Sequence, residues 1–407
     1  MTLGLADAED SLRELKELTF SAGARVVGTA LQRMPEPDPA TLLGRGKVHE
    51  IRTQARAARA DLVIFDHDLT PTQLRNLEKL LDLKVIDRTQ IILDIFARRA
   101  RSREGQLQVE LAQLNYLLPR LSGHGTVLSR LGGGIGTRGP GEQQLEYDRR
   151  RIRRRIRILT EGIERVRSQR ALHRAHRRDQ NFHTVALVGY TNAGKSTLFN
   201  ALTSASAVTS ARMFATLDPT VRALPLDAHR TALLSDTVGF IRKLPPHLVA
   251  AFRATLEELE EASLLLHVTD ASDPQRAAQD AAVETLLEDL GVASTLRLHV
   301  WNKVDLLTPE ERRRVDGTER NIAVSATTGE GLDILRQRIA DTLAADPIVE
   351  ADFELSPTDG KHLALLHRTG TVVSTHYEER KVVVRARVRE SVRELLKPSS
   401  VEALPER

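Results

Sequence analysis

The chain has 407 residues, enough for two to four domains, with 41% hydrophobic and only 3% aromatic residues. It contains no cysteine, which excludes disulfides and thiolate zinc sites and fits a cytoplasmic protein. The formal net charge is only +4 while the sequence pI is about 9.4, so where the basic residues lie matters more than their total.

Met1 to Asp10 carries acids and lacks an apolar core, so a signal peptide is not expected. No apolar run approaches the length of a membrane span, although a peripheral place at the membrane stays open. Residues 1–100 alternate strand and helix signals. Arg25 to Leu31 reads as a strand, Lys47 to Ala60 as a helix and Leu62 to Phe65 as a strand. Pro71 to Leu81 then reads as a helix and Lys84 to Ile86 as a strand, which predicts a small α/β subdomain with a parallel sheet. Gly44-Arg45-Gly46-Lys47 before a helix fits a phosphate-binding turn or, equally, a capped glycine turn.

Residues 101–180 change character. Leu107, Leu111, Leu114 and Leu118 fall on one helical face, and Ile152, Ile156, Leu159, Ile163 and Val166 form a heptad-like stripe. Together they predict an antiparallel helical hairpin. Its second helix carries Arg149, Arg150, Arg151, Arg153, Arg154, Arg155 and Arg157, and the run continues through Arg165, Arg167, Arg170, Arg174, Arg177 and Arg178. With Glu161 and Glu164 as its acids, such a face repels itself unless phosphates neutralise it. Nucleic acid is therefore favoured over a merely solvated helix. The connecting stretch, residues 122–141, includes Gly134-Ile135-Gly136-Thr137-Arg138-Gly139, a G-x-G-x-x-G match that lacks the preceding strand a dinucleotide fold needs. A segment that threads into RNA and a mobile linker are the two readings.

Residues 181–346 hold the strongest motif. Gly189, Tyr190, Thr191, Asn192, Ala193, Gly194, Lys195, Ser196 and Thr197 match G-x-x-x-x-G-K-[ST] at every fixed position, after an apolar strand from Thr184 to Val188. In that setting backbone N–H groups and a helix N-terminus cradle phosphates, Lys195 reaches the β- and γ-phosphates, and Ser196 ligates Mg²⁺. A second strand, Thr231 to Ser235, runs into Asp236-Thr237-Val238-Gly239, where Asp236 can hold Mg²⁺ through water and the Gly239 N–H can sense the γ-phosphate. A third, Leu296 to Trp301, leads to Asn302-Lys303-Val304-Asp305. The Asp305 carboxylate can accept two hydrogen bonds from guanine, a pair that adenine does not offer. Ser325-Ala326-Thr327 follows a further strand, where a backbone N–H could meet the guanine oxygen. This order and spacing resemble the P-loop GTPases, binding GTP and GDP.

Helices are expected over 245–261, 277–290 and 331–343, with a strand from Leu264 to Thr269, which completes a doubly wound α/β sheet. Residues 347–407 restart as a small α+β domain, in which Arg385, Arg387 and Arg389 mark either a basic or simply a solvated strand face. His173 and His176 lack a third ligand nearby in sequence and read as surface residues.

Several further stretches carry a closer resemblance. Gly44-Arg45-Gly46-Lys47-Val48, Leu69-Thr70-Pro71-Thr72-Gln73, Val85-Ile86-Asp87-Arg88-Thr89 and Leu93-Asp94-Ile95-Phe96-Ala97 are similar to the HflX family of ribosome-associated GTPases. So are Gln108-Val109-Glu110-Leu111-Ala112-Gln113-Leu114 and the glycine-rich run into Gly141-Glu142-Gln143-Gln144-Leu145-Glu146. The resemblance covers residues 20 to 345. It implies an N-terminal α/β subdomain, a long helical subdomain, a G domain and a small C-terminal domain. It also implies binding to the large ribosomal subunit, with dissociation or rescue of stalled ribosomes under stress, by a protein expected to be monomeric. Phe214-Ala215-Thr216-Leu217-Asp218-Pro219-Thr220 lies where a first switch belongs, and the resemblance puts the second Mg²⁺ ligand at Thr216, with Thr220 the weaker candidate. Phe240 stands where Ras-like enzymes carry a water-orienting Gln, so slow intrinsic hydrolysis is expected, with Lys195, Thr216 and Gly239 at the reacting phosphate. Two alternatives remain open: an rRNA-binding module whose hydrolysis serves only release, and an RNA-remodelling ATPase with a second site in the N-terminal unit.

Overall fold

The computed structural model describes residues 5–121, 140–179, 183–203, 213–214, 216–227, 230–242, 258–315, 321–345, 347–356, 359–377 and 381–396. The chain forms two compact units: residues 1–166, 208–218 and 241–254 make the first, and 167–207, 219–240 and 255–407 the second.

The first unit begins with a helix the sequence reading did not anticipate, α1 (Leu5–Ser21), which buries Leu15 and Leu18. The strand expected from Arg25 to Leu31 is not formed. Val26 and Val27 gave the β signal, but they are 40% and 46% exposed and sit in no ladder. Then come α2 (Arg45–Ala57), β1 (Leu62–Phe65), α3 (Pro71–Leu81), β2 (Lys84–Asp87) and α4 (Arg88–Arg99). β1 and β2 pair in parallel, Leu62 opposite Lys84. A capping box starts α3: the Thr70 hydroxyl accepts from Gln73 N–H at 3.2 Å while the Gln73 side chain accepts from Thr70 N–H at 3.0 Å, with Pro71 at the first helical position. The apolar faces of these elements close over Val48, Phe65, Leu77, Leu81 and Val85. At the Gly44 turn, the Gly44 N–H donates to the Gln32 side chain at 3.1 Å and the Lys47 ammonium pairs with Glu50 at 2.9 Å. The Gly44 N–H and the Lys47 ammonium are thus both engaged within the chain.

The hairpin is formed by α5 (Arg103–Arg120) and α6 (Pro140–Asp179). Arg155 grips Glu110 with two bonds of 2.7 and 2.8 Å, and Gly162 lies against Leu107, so the helices run antiparallel. Leu159 is buried, while Arg151, Arg153, Arg154 and Arg165 are exposed. Self-repulsion is partly relieved by pairs within the chain, Arg150 with Glu146 and Arg157 with Glu161. The glycine-rich stretch 122–139 and the side chains of Arg170, Arg174, Arg177 and Arg178 lie outside the described residues.

The second unit is built on a six-stranded sheet of order β4-β5-β3-β6-β7-β8. In chain order the elements are β3 (Thr184–Val188), α7 (Lys195–Thr203), β4 (Thr220–Pro225), β5 (Thr231–Asp236) and β6 (Leu264–Asp270). They continue with α8 (Arg276–Asp289), β7 (Arg297–Asn302), α9 (Pro309–Val315), β8 (Asn321–Ala323) and α10 (Leu332–Ala345). Only β4, absent from the sequence reading, runs antiparallel to its neighbour. β3 lies between β5 and β6, which puts the loop after it at the point where strand order reverses, the usual place for a ligand in such sheets. Of the helix expected over 245–261, residues 258–260 are helical and 243–257 lie outside the described residues.

The C-terminal module is the antiparallel sheet β10-β11-β9, with β9 (Ile348–Leu355), β10 (Thr371–Tyr377) and β11 (Val382–Arg389). The helices α11 (Gly360–Thr369) and α12 (Glu390–Leu396) pack on it around Val384, Ala386 and Val388. Arg385 and Arg387 pair with Asp352 and Glu350, which stand directly opposite them on β9. That face is charge-balanced rather than basic. Among the described residues no helix is long and apolar enough to cross a membrane.

Candidate functional site

β3 is buried on both faces, with Val185, Ala186, Leu187 and Val188 all at 0% exposure, so it holds the loop that follows on a rigid support. The loop from Gly189 to Gly194 turns through a left-handed Asn192 and enters α7 at Lys195. The Lys195 ammonium is buried and donates to the carbonyls of Gly189 and Tyr190 at 3.0 and 2.7 Å. Burial pushes its pKa down to about 8, against the pull of the Asp236 carboxylate. Ser196, in the first turn of α7, donates its hydroxyl to Asp236 at 2.7 Å. Thr197 continues that turn.

Asp236 ends β5, and the segment after it folds back on the loop. Thr237 donates its hydroxyl to the Leu187 carbonyl at 2.5 Å, and Val238 is buried. Phe240 pairs with Tyr190 as a parallel bridge: Thr191 N–H donates to the Phe240 carbonyl at 2.7 Å and Phe240 N–H to the Gly189 carbonyl at 3.1 Å. Gly239 is held between them, close to Lys195 and the Thr191 backbone.

The base-side motifs converge on one buried side chain. Asn302, at the end of β7, donates to the Ala193 carbonyl at 2.9 Å and accepts from Ala326 N–H at 3.1 Å. One amide therefore ties the Ser325-Ala326-Thr327 turn to the phosphate loop. Gly194 is required for this approach: its φ is +91°, and a Cβ there would lie 2.2 Å from the Asn302 amide nitrogen. Lys303 adopts a left-handed conformation and its ammonium meets Asp270 at 2.6 Å. Asp270 is a site residue that sequence reasoning missed, although its place at the very end of β6 was available as a signal. Val304 is buried and Asp305 exposed in a short 3₁₀ turn, Val304–Leu306. Ser325 is buried and its hydroxyl accepts from Thr328 N–H at 3.1 Å, while Thr327 is exposed.

The remaining expected residues belong to the first unit. Met213 N–H donates to the Ser21 hydroxyl at 2.8 Å, and the Phe214 ring meets Phe96 edge-to-face with centroids 4.8 Å apart. Leu217 is buried and Thr216 half-buried; Ala215 lies outside the described residues. The Asp218 carboxylate accepts from the N–H groups of Arg101 and Ser102 at 2.8 and 2.7 Å, and also from the Ser102 hydroxyl. Ser102 in turn caps α5 through Gly105 N–H at 2.9 Å. Of the three expected metal ligands, Ser196 and Asp236 come together in the second unit, while Thr216 is grouped with the first.

Known proteins match this chain along most of its length. Residues 9–97 match the family described as GTP-binding GTPase N-terminal, residues 99–177 its middle region, and residues 184–303 the family described as 50S ribosome-binding GTPase. The protein named GTPase HflX from Caldanaerobacter subterraneus is 48% identical over 390 residues, covering 96% of this chain and 90% of its own length. GTPase HflX from Escherichia coli K12 is 45% identical over 377 residues, covering 92% of this chain and 88% of its own. Among solved structures, a complex of SsGBP with GDP is 25% identical, with a TM-score of 0.47 over 83% of this chain and 96% of that one.

Proposed function

The chain belongs to the HflX family of GTPases, and from that premise we propose that it binds the large ribosomal subunit and dissociates or rescues stalled ribosomes. Its own hydrolysis of GTP is slow and the ribosome stimulates it. The observation that carries the RNA-facing part is the exposed arginine face of α6, set on the stripe that includes the buried Leu159.

The site residues take these roles. Asp305 accepts two hydrogen bonds from guanine, and an N–H of the Ser325-Ala326-Thr327 turn meets the guanine oxygen. Lys195 exchanges its bonds to the Gly189 and Tyr190 carbonyls for the β- and γ-phosphate oxygens. The Thr191 N–H, now held by the Phe240 carbonyl, and the Gly239 N–H turn to the same phosphates. A hydroxyl and a carboxylate 2.7 Å apart, both hard oxygen donors, suit Mg²⁺, so Ser196 and Asp236 hold that ion with Thr216 completing the set. Bound Mg²⁺ would neutralise charge on the transferring phosphoryl group. Phe240 offers no side-chain hydrogen bond to an attacking water, which supports slow turnover without a partner. In domain terms the subdomain 1–100, the hairpin 101–180, the G domain 181–346 and the module 347–407 act as an RNA-gripping arm on a nucleotide switch.

The test is GTP turnover with and without large ribosomal subunits at two salt concentrations. Strong stimulation that weakens with salt is expected. Fast turnover indifferent to subunits would sink the reading. Subunit splitting with a non-hydrolysable GTP analogue then decides whether hydrolysis drives the split or only releases the protein.

A further inference from the structure

Away from the nucleotide loop, the second unit carries a polar cluster that the GTPase reading leaves unused. His267 on β6 and His299 on β7 are direct register partners on neighbouring parallel strands, so their side chains project from the same face of the sheet. The helix α8 covers that face and contributes Asp280. The donor atoms of the three side chains all lie within 4.8 Å of one another. His267 Nε2 is 3.2 Å from one Asp280 oxygen, and His299 Nε2 is 3.7 Å from the other.

We propose that His267, Asp280 and His299 form a binding site for a divalent transition-metal ion of the zinc class, distinct from the nucleotide-associated Mg²⁺. The donor set is two imidazoles and a carboxylate, the ligand chemistry that zinc accepts, and a fourth position remains for water or the neighbouring Thr269 hydroxyl. The spacing fits. Two donors bonded at about 2 Å to one tetrahedral ion are about 3.3 Å apart, and two imidazoles sharing it have centroids about 5 Å apart. The centroids of His267 and His299 are 4.9 Å apart, the rings stacked with an interplanar angle of 27°.

A second observation separates this from a self-contained hydrogen-bond network. The Thr269 hydroxyl joins Asp280 at 2.6 Å and His299 at 2.8 Å, so those two groups are satisfied among themselves. His267 gains nothing from that bridge. It is only 3% exposed, and its buried Nε2, 3.2 Å from an Asp280 oxygen, meets that carboxylate without the alignment of a hydrogen bond. A buried unsatisfied nitrogen costs free energy unless something fills the position, and a metal ion does. The ion would brace α8 against β6 and β7 three residues before Asp270 and Asn302, where the base-side motifs begin.

The experiment uses the untagged full chain, stripped with chelator and then saturated with GDP and Mg²⁺ so that the nucleotide site is filled. Zn²⁺ is titrated by calorimetry, and Co²⁺ is added separately to read the visible bands of a four-coordinate ion. Wild type is expected to bind one Zn²⁺ that Asp280→Asn and His299→Gln each weaken by about a hundredfold or more. Zn²⁺ should also raise the Tm of wild type and not that of the variants. Two near-isosteric variants are used so that a folding defect in one leaves the other informative, with GDP affinity reporting an intact fold. Equal Zn²⁺ stoichiometry and affinity in wild type and a folded variant, or no Zn²⁺ bound by wild type, overturns the assignment.

Discussion

The phosphate loop and the segment proposed as the first switch are built in opposite ways. The loop hangs between strand ends of a single sheet: Lys195 opens the helix after β3, while Asp236 and Asn302 are the last residues of β5 and β7. Phe214 and residues 216–218 of the proposed switch segment lie in no strand or helix. The segment is anchored residue by residue in the first unit, Phe214 on Phe96 and Asp218 on the N-terminus of α5. The difference teaches where mobility belongs. A site that must recognise the same phosphates every time is set on buried strands, whereas a segment that must change partners is held by a few separable contacts.

Mutations on the rigid side should abolish recognition or chemistry without changing the fold. The largest effect is expected at Asp305, which is exposed. Asp305→Ala should cut the preference for GTP over ATP by about a thousandfold in competition binding, since the paired acceptor is lost. Unchanged preference would move guanine selection elsewhere. Next is Lys195→Ala, expected to lower kcat for GTP by 10²–10³-fold, roughly the cost of losing one preorganised donor at the reacting phosphate. A single-turnover assay with saturating GTP distinguishes that from weak binding.

On the anchored side the expected loss is of stability. Phe214 is 2% exposed, and Phe214→Ala should destabilise the protein by about 3 kcal/mol in urea unfolding, from lost burial and the edge-to-face contact. Because the same change frees the segment, nucleotide exchange should quicken as the unit weakens. Stability loss without any change in exchange would break the comparison.

Protonation probes the rigid side more gently. Lys195 has a folded pKa of about 8, below the ordinary lysine value of 10.5, because it is buried. Above about pH 8 the unfolded chain therefore binds more protons than the folded one, and stability of the nucleotide-free protein should rise with pH over that window. Phosphate oxygens favour the charged ammonium, so GDP binding takes up a proton there. Affinity should fall by up to about tenfold per pH unit above 8. A flat profile between pH 7 and 9.5 would mean that the ammonium is already fully charged before nucleotide arrives.

How far the sequence could be read follows the same division. The β3 run, the loop glycines and the Asn302-Lys303-Val304-Asp305 motif were legible because periodicity and spacing are local properties, and the sheet merely fixes what they specify. α1 was missed because its acidic start was read only as evidence against a signal peptide, leaving the spacing of Leu15 and Leu18 unused. β4 was missed because Thr220 to Pro225 carries an arginine and a proline, and only pairing along β5 makes it an edge strand. The strand expected at Val26 and Val27 failed for the converse reason: β propensity without a partner yields no ladder. His267, Asp280 and His299 are scattered over 33 positions, so no sequence window joins them. Asp218 is the clearest case. Its carboxylate serves a helix cap more than a hundred residues earlier, a relation that only the folded chain expresses.

That cap offers the finest test. Gly105 lies in the first turn of α5, where glycine is normally the poorer choice and Gly→Ala would stabilise a helix by up to about 1 kcal/mol. Here a Cβ would fall 2.3 Å from an Asp218 oxygen, so the carboxylate must leave before alanine can be accommodated. Gly105→Ala is therefore expected to be neutral or destabilising in wild type and stabilising in an Asp218→Ala background. The double-mutant cycle should give a coupling of about 1 kcal/mol. Gly105→Ala should also loosen the proposed switch segment, seen as faster hydrogen exchange at Leu217 and Asp218. Additive effects in the cycle would show that Asp218 and α5 are independent.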